Sequence, residues 1–512
     1  MTIRFLPTPI HAGSGDWRVT ARAQQAARRT ATIVPALVSF GAATANQRLL
    51  LEGGALAVTT GQQAGLFTGP LYAVYKALSA AALAREMADA GLGPVVPVFW
   101  VAGDDHDFAE INHCTVIGGD GRPVRILLRE RPAEAPMLPA YREPVGEGGA
   151  AVLAALEGAL PPGDARAATM DWLSRAYTPE RSVAEAHAIA LAELLAPYGV
   201  VVCRGWHRAL KTAANDVLLR AARDAEAIDA DLAAEADRLR SRGAAVPVDV
   251  GQGLSLLMVE GVQGRDRLRI AGPGRFATRR GLEAFSLEDL ERIGAEQPER
   301  LSGNVLLRPV VEAAVFPTVG YFGGPGELAY LEQTGPVFAR LDVPRPARLA
   351  RLSGLLVEAK VDKILEKHQL SPADLAGSES ALASRVARDA LPESTVSALG
   401  ELRRTITERY AAVQADAIRV DKTLEKPVEN ARNQALMGSQ EIEKRIVAAL
   451  KRTGDTAIQQ VARARDQLFP GGTPQERVVC SASFLARHGP PVLDLVFEAA
   501  RGHAREMLQG GD

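Results

Sequence analysis

"ALAVTTGQQAGLFTGPLYAVYKALSAAALAREMADAGLGPVVPVFWVAG", residues 55–103, decides the fold. Its first six residues, Ala55–Thr60, form a short apolar run suited to a buried strand. Val95–Gly103 is a continuous apolar run rich in β-branched and aromatic residues, as a strand covered on both faces requires. Between them Pro70 suits the first turn of a helix and Gly91 the position just past its end, while Leu71, Val74, Tyr75, Leu78 and Ala82 fall on one helical face. Strand, glycine loop, helix, strand is a crossover. It predicts an α/β fold with a parallel sheet whose ligands lie beyond the carboxyl ends of the strands.

The alternation continues past residue 200, where "GVVVCRG" (199–205) reads as a buried strand followed by the helical "HRALKTAANDVLLRAARDA". Residues 118–150, rich in proline, glycine and charge, read as an insertion in the sheet domain, and 246–280 as a small β insertion. From Pro392 to Phe469 the texture changes to long stretches heavy in Ala, Glu, Arg, Lys and Gln. Leu399, Leu402, Ile406, Tyr410, Val413, Ala417, Val420 and Leu424 step by threes and fours, the seam of a coiled coil. A second segment carries Ile442, Ile446, Leu450, Ile458, Val461 and Leu468, with Pro427 and Gly454 as candidate kinks or turns. The expected organisation is a core over 1–390, a helical coiled coil over 391–469 and a segment at 470–512 that docks back on the core. The coiled coil reads as a dimerising arm; its alternative is a bundle packed on its own domain.

Composition narrows the function classes. With 512 residues, 47% of them apolar and 23% charged, the chain has enough hydrophobic material for real cores. Its 59 basic and 61 acidic residues create no global field that gathers nucleic acid or an anionic membrane, so neither partner is expected. Cys114, Cys203 and Cys480 are odd in number and lack C-x-x-C spacing, which argues against a disulfide framework or a zinc site. With no signal-like start in "MTIRFLPTPIHAGSGDW" and no apolar run near the roughly 18 residues of a membrane span, a cytoplasmic location is expected.

Three stretches carry candidate chemistry. "TGQQAGLFTGP" (60–70) matches neither the G-x-G-x-x-G nor the P-loop pattern, yet Gly61, Gly65 and Gly69 permit close approach to a ligand. Free N–H groups near Thr68 and Gly69 would favour an anion, and Gln62 and Gln63 add uncharged donors and acceptors. The alternative is a tight turn whose glycines serve packing. "GDDHDFAEINH" (103–113) crowds Asp104, Asp105, His106, Asp107, Glu110 and His113 at a strand end, with Asn112 among them. Carboxylates about 4 Å apart repel by about 4 kcal/mol at an effective dielectric near 20, so the cluster calls for a divalent metal, an arginine or a substrate ammonium. Its alternative is a solvated acidic turn. "NVLLRPVVEAAVFPTVGYFGGPGELAYLEQ" (304–333) supplies Arg308 for a carboxylate or phosphate, then Gly324 in a glycine turn and Glu327, Tyr330 and Gln333 at helical spacing. Arg308 could equally be a structural partner of the acidic cluster.

With these stretches and the late "LFPGGTPQERV" (468–478), the chain resembles the BshC family of bacillithiol biosynthesis, the cysteine-adding enzymes. The resemblance implies a Rossmann-like core with connecting inserts, related to nucleotidylyltransferases and class I aminoacyl-tRNA synthetases, and an α-helical coiled coil that makes a homodimer. It implies a ligase that joins cysteine to the amine of glucosaminyl malate to form bacillithiol. In this topology the loop after the first strand is where the related synthetases keep their H-I-G-H motif; here Gln62 and Gln63 stand in its place without the histidines. Asp104, Asp105 or Asp107 would hold an ammonium and His106 would act as general base, while the glycine loop and Arg308 would stabilise developing negative charge. ATP or another nucleotide is the candidate activator of the cysteine carboxylate, and no metal ligands are assigned. The other function classes open to these residues are a metal-dependent hydrolase built on the Asp/His cluster and a coiled-coil scaffold without catalysis.

Overall fold

Six strands form the central sheet of the computed structural model, which describes residues 3–8, 18, 20, 21, 24, 33–452 and 456–509. They are β1 (Leu37–Val38), β2 (Leu56–Gln62), β3 (Val95–Val101), β4 (Val201–Arg204), β5 (Thr318–Gly323) and β6 (Ala347–Ala350), in the spatial order β6-β5-β2-β3-β4-β1. Strands β2 to β6 are parallel, and β1 runs antiparallel beside β4. The chain moves outward from β2 through β3 to β4 and then returns to the far side of β2 with β5. The winding therefore reverses between β2 and β5, and this is the Rossmann-like arrangement expected of the α/β core.

By contacts the chain divides into two compact units, Ile3–Leu356 with Gln475–Asp512, and Val357–Pro474. In the first, β3 is buried along its whole length, as its unbroken apolar sequence requires. The helix after the glycine loop, α1 (Leu71–Asp89), was expected to bury one face. It is instead buried on nearly all sides, because the sheet covers one side and the C-terminal helix Pro491–Gln509 packs on another. Pro70 stands just ahead of α1 as its N-cap, and Gly91 follows its end with φ +78°. The core also contains α2 (Arg208–Arg223), α3 (Arg308–Val315) and α4 (Pro325–Gln333). A hairpin of His113–Ile117 with Pro123–Leu127 follows β3, and a five-stranded antiparallel sheet between Leu254 and Gly303 separates α2 from α3.

The glycine loop is wound tightly. Phe67, Thr68 and Gly69 all have left-handed φ, at 52°, 74° and 68°, and two of the three pay a side-chain penalty for it. A Cβ on Gly65 would lie 2.8 Å from Gly69 Cα, so the two glycines exist for a backbone crossing. Thr68 N–H donates to Tyr177 Oη at 3.2 Å, Tyr177 Oη–H donates to Gly65 O at 3.1 Å, and Gly65 N–H donates to His187 Nδ1 at 3.1 Å.

In the second unit, α5 (Glu393–Val420) and α6 (Glu425–Arg452) form a helical hairpin around a turn at Asp421–Leu424. Arg403 Nε donates to Ser439 Oγ at 3.1 Å and the same guanidinium pairs with Glu443, which sets the antiparallel register. Pro427 sits in the first turn of α6, where a missing N–H costs no helical bond, so it produces no kink. Gly454 lies outside the described residues. Among the described residues no helix is long and apolar enough to cross a membrane.

The buried loop has a pH signature. Burial pushes His187 down to about 4, so below about pH 6.5 the unfolded chain takes up a proton that the folded chain refuses. Stability is expected to fall between about pH 6.5 and 4, by at most about 1.4 kcal/mol per pH unit from this residue. Denaturant unfolding of wild type and His187→Gln across that range checks it; the difference between the two curves should carry the slope, and a flat difference contradicts it.

Candidate functional site

Where the carboxyl ends of β2, β3 and β5 meet, the reversal in winding leaves a cavity of about 450 Å³. Gly61, Gln62 and Gln63 line it from the end of β2, Asp104 and Asp105 from beyond β3, Gly324 from the β5–α4 turn, and Glu327 and Tyr330 from α4. Tyr72 of α1, Arg308 at the start of α3, Arg351 after β6 and Arg477 of the C-terminal segment complete the wall with Arg265 and Asn304. Gly61 tolerates no side chain, since a Cβ there would meet Trp100 O at 2.8 Å and Arg308 Nη1 at 3.4 Å.

One fully buried lysine organises this wall. Lys76 Nζ donates to Gly61 O at 2.7 Å and to Gln62 Oε1 at 2.9 Å, and pairs with Glu327 Oε2 at 2.5 Å. Burial pushes the Lys76 ammonium below the usual lysine range while Glu327 pulls it back up. Burial also works against the Glu327 carboxylate, but Lys76 and the Gly324 N–H outweigh it, and its pKa lies below the usual value. From Glu327 the network continues: Tyr321 Oη donates to Glu327 Oε1 at 3.1 Å, Arg308 Nη2 donates to Tyr321 Oη at 3.0 Å, and Arg308 Nη1 pairs with Glu312 at 2.5 Å.

The acidic run is divided among separate tasks. Asp104 pairs with Lys211 Nζ at 2.7 Å. Asp105 Oδ1 accepts from His106 N–H at 2.7 Å and Asp107 N–H at 3.2 Å, and Oδ2 accepts from the Gln63 amide. Burial raises the Asp105 pKa, but the Gln63 bond, the nearby Arg265 charge and the Asp107 N–H outweigh it and hold it below the usual carboxylate range. Asp107 is exposed and caps the short helix Phe108–Ile111. Burial and Arg265 push His106 below its ordinary pKa, so its imidazole is neutral at pH 7; its Nδ1 lies 3.8 Å from Asp105 Oδ1 and has no hydrogen-bond partner among the described residues.

Most charges around the cavity are paired within the protein. Glu327 answers Lys76, Glu312 answers Arg308, Asp104 answers Lys211, and Glu476 grips Arg351 with both oxygens at 2.6 and 3.1 Å. Three lining charges are left over. Among the described residues Asp105 makes no close ion pair with a lysine or arginine, Arg265 bonds only the neutral Ser302 Oγ and Gly303 O, at 3.1 and 3.0 Å, and Arg477 faces the Tyr72 ring at 6.0 Å without a carboxylate.

Of the residues expected at a site, the structure brings Gly61, Gln62, Gln63, Asp104, Asp105, Arg308, Gly324, Glu327 and Tyr330 to this cavity. His106 and Asp107 lie next to its wall without lining it. Gly65, Thr68 and Gly69 lie away from it in the buried loop, where Thr68 N–H and Gly69 N–H already have protein acceptors. Asn112 and Gln333 are buried elsewhere, as bridges to Arg129 O and to both backbone groups of Val248. Sequence reasoning passed over Tyr72, Lys76, Arg265, Asn304 and Arg477. Lys76 carried a signal, being the one charged residue between Pro70 and Ala84.

Comparison with known proteins gives a family match over both parts of the chain. Residues 26–352 match the domain described as "Bacillithiol biosynthesis BshC, N-terminal Rossmann-like domain", and 354–508 match "Bacillithiol biosynthesis BshC, C-terminal coiled-coil domain". Relatives named "Putative cysteine ligase BshC" are similar over most of their length. The Salinibacter ruber protein is 32% identical over 88% of this chain and 82% of its own. The one from Koribacter versatilis is 33% identical over 88% and 83%, and the one from Heliobacterium modesticaldum 31% identical over 92% and 86%.

The buried pair at the centre of the wall makes a stability prediction. Lys76→Met leaves the half-buried Glu327 charged without its partner, at an expected cost of up to about 3–5 kcal/mol. Adding Glu327→Gln is expected to recover part of that loss. Guanidinium unfolding of the two single variants and the double variant measures the coupling; additive losses would contradict a direct pair.

Proposed function

The chain belongs to the bacillithiol biosynthesis BshC family, and from that premise we propose that it is a ligase that forms an amide between the carboxyl of cysteine and the amine of glucosaminyl malate. The observation that carries this reading is the set of unmatched charges in the cavity. One free carboxylate and two free guanidiniums suit ligands that bring an amine and carboxylates together. Asp105 holds the ammonium or the reacting amine, and its lowered pKa keeps it charged for that task. Arg265 and Arg477 receive carboxylates. His106, neutral beside Asp105 and just behind the lining, takes the amine proton through an intervening water.

Joining a free carboxylate to an amine releases water and runs uphill, so the carboxyl has to be activated, and ATP is the candidate. Thr68 N–H, Gly69 N–H and Gly324 N–H are already engaged within the protein, so they offer a nucleotide's phosphates no backbone cradle. Nothing favours the hydrolase alternative, since Asp104, Asp105 and Asp107 have separate partners. Among the described residues no three His, Cys, Asp or Glu side chains converge as metal ligands. Three buried free thiols, Cys114, Cys203 and Cys480, suit a reducing cytoplasm.

Within the same proposal the coiled coil pairs two copies. Its support is the apolar surface that the hairpin leaves uncovered: Val413 is 55% exposed, Val420 83%, Met437 65% and Ile442 50%.

Two measurements test these readings. Incubation with cysteine, glucosaminyl malate and ATP is expected to yield the amide by mass, and Asp105→Asn to lower its rate at least 100-fold with the fold intact; no product from any combination overturns the assignment. Light scattering is expected to give twice the 54.3 kDa chain mass, and Val413→Glu with Ile442→Glu to give the single chain. A monomeric wild type at micromolar concentration contradicts the pairing.

A further inference from the structure

Gln62 closes β2 with its side chain in the cavity wall, and its amide is held from one side only. Lys76 Nζ lies 2.9 Å from the amide oxygen. An ammonium has three N–H donors and no acceptor, so the atom that faces it has to be the oxygen, and the amide nitrogen is turned the other way. Lys76 has no freedom to release this grip, because Gly61 O and Glu327 occupy its other N–H groups and its side chain is fully buried. The neighbouring Gln63 is committed in a different way, with its amide nitrogen spent on Asp105. Gln62 Nε2 finds no acceptor among the described residues, and it is not sealed from the cavity.

We infer that Lys76 is a positioning residue that fixes Gln62 as a hydrogen-bond donor into the cavity, where its NH₂ group meets the acyl oxygen of the reacting carboxyl. The inference rests on the amide-forming reading above and names a donor within it. When the amine nitrogen adds to the activated carboxyl carbon, the C–N bond forms and electron density moves onto the acyl oxygen. The C–O bond to the leaving group, the phosphate supplied by a nucleoside triphosphate, then breaks with its electron pair, and the amine gives up one proton. A donor already oriented toward the acyl oxygen stabilises that charge without reorganising. A glutamine free to flip would offer its oxygen half the time and repel the same charge. The buried lysine removes this ambiguity.

Two substitutions at residue 62 test the donor, with product mass and thermal melting read on the same samples. Gln62→Glu gives Lys76 a carboxylate to hold and keeps the side chain's shape, but offers no N–H; a melting temperature at or above wild type and a kcat lower by about 100-fold are expected. Gln62→Met removes the N–H without adding charge and is expected to lower kcat by a similar factor with the KM for cysteine within threefold. The positioning role is read from Lys76→Met: its loss of kcat is expected to disappear in the Gln62→Met background. If either residue-62 variant stays within threefold of wild-type kcat, the donor assignment fails while the amide-forming reading stands. If Lys76→Met costs the same factor with Gln62→Met as without it, Lys76 does not act through Gln62. If the wild type makes no amide, the reading itself fails and the inference falls with it.

Discussion

An ammonium with no access to water has to find its counter-charge and its acceptors inside the protein, and Lys76 finds them in different segments of the chain. Gly61 and Gln62 come from the end of β2, Glu327 from the turn after β5, and the lysine itself from α1. These elements flank the point where the sheet reverses its winding, so satisfying one charge also fixes the geometry of the mouth of the sheet. Breaking such a pair costs more than forming it gains, because the remaining charge stays buried. The pair therefore acts as a specificity device for one arrangement of the wall.

From that anchor the charges of the cavity sort into two groups. Lys76, Lys211, Arg308 and Arg351 have carboxylates of their own. Asp105, Arg265 and Arg477 have no ion-pair partner of opposite charge within close contact among the described residues. Arg265 arrives on the inserted antiparallel sheet and Arg477 on the C-terminal segment, while Asp105 follows core strand β3.

The strand–loop–helix–strand unit was legible from sequence because burial on both faces leaves an unbroken apolar run and because glycine and proline punctuate it. The loop was legible only in part. Gly61, Gln62 and Gln63 do line the cavity, while Gly65 and Gly69 serve a backbone crossing, and a spacing of four residues cannot distinguish a glycine that faces a ligand from one that faces another glycine. Asn112 and Gln333 looked like site residues for the same reason, since a polar side chain buried on backbone partners has the same letter as one that binds substrate. The lone lysine in α1 was readable, and was passed over. Arg265 and Arg477 had no local signal, because arginines are common at such positions and only the tertiary fold directs these two to one cavity.

The central claim is that the cavity selects its ligands through charges that the protein leaves unmatched. Calorimetric titration with cysteine, N-acetylcysteine and cysteine methyl ester tests it directly, because each derivative removes one charge while keeping the thiol. Weaker binding of both derivatives, by about tenfold or more, is the result the account predicts, since each loses a charged partner worth at least about 1.4 kcal/mol. Equal affinity for all three would contradict it.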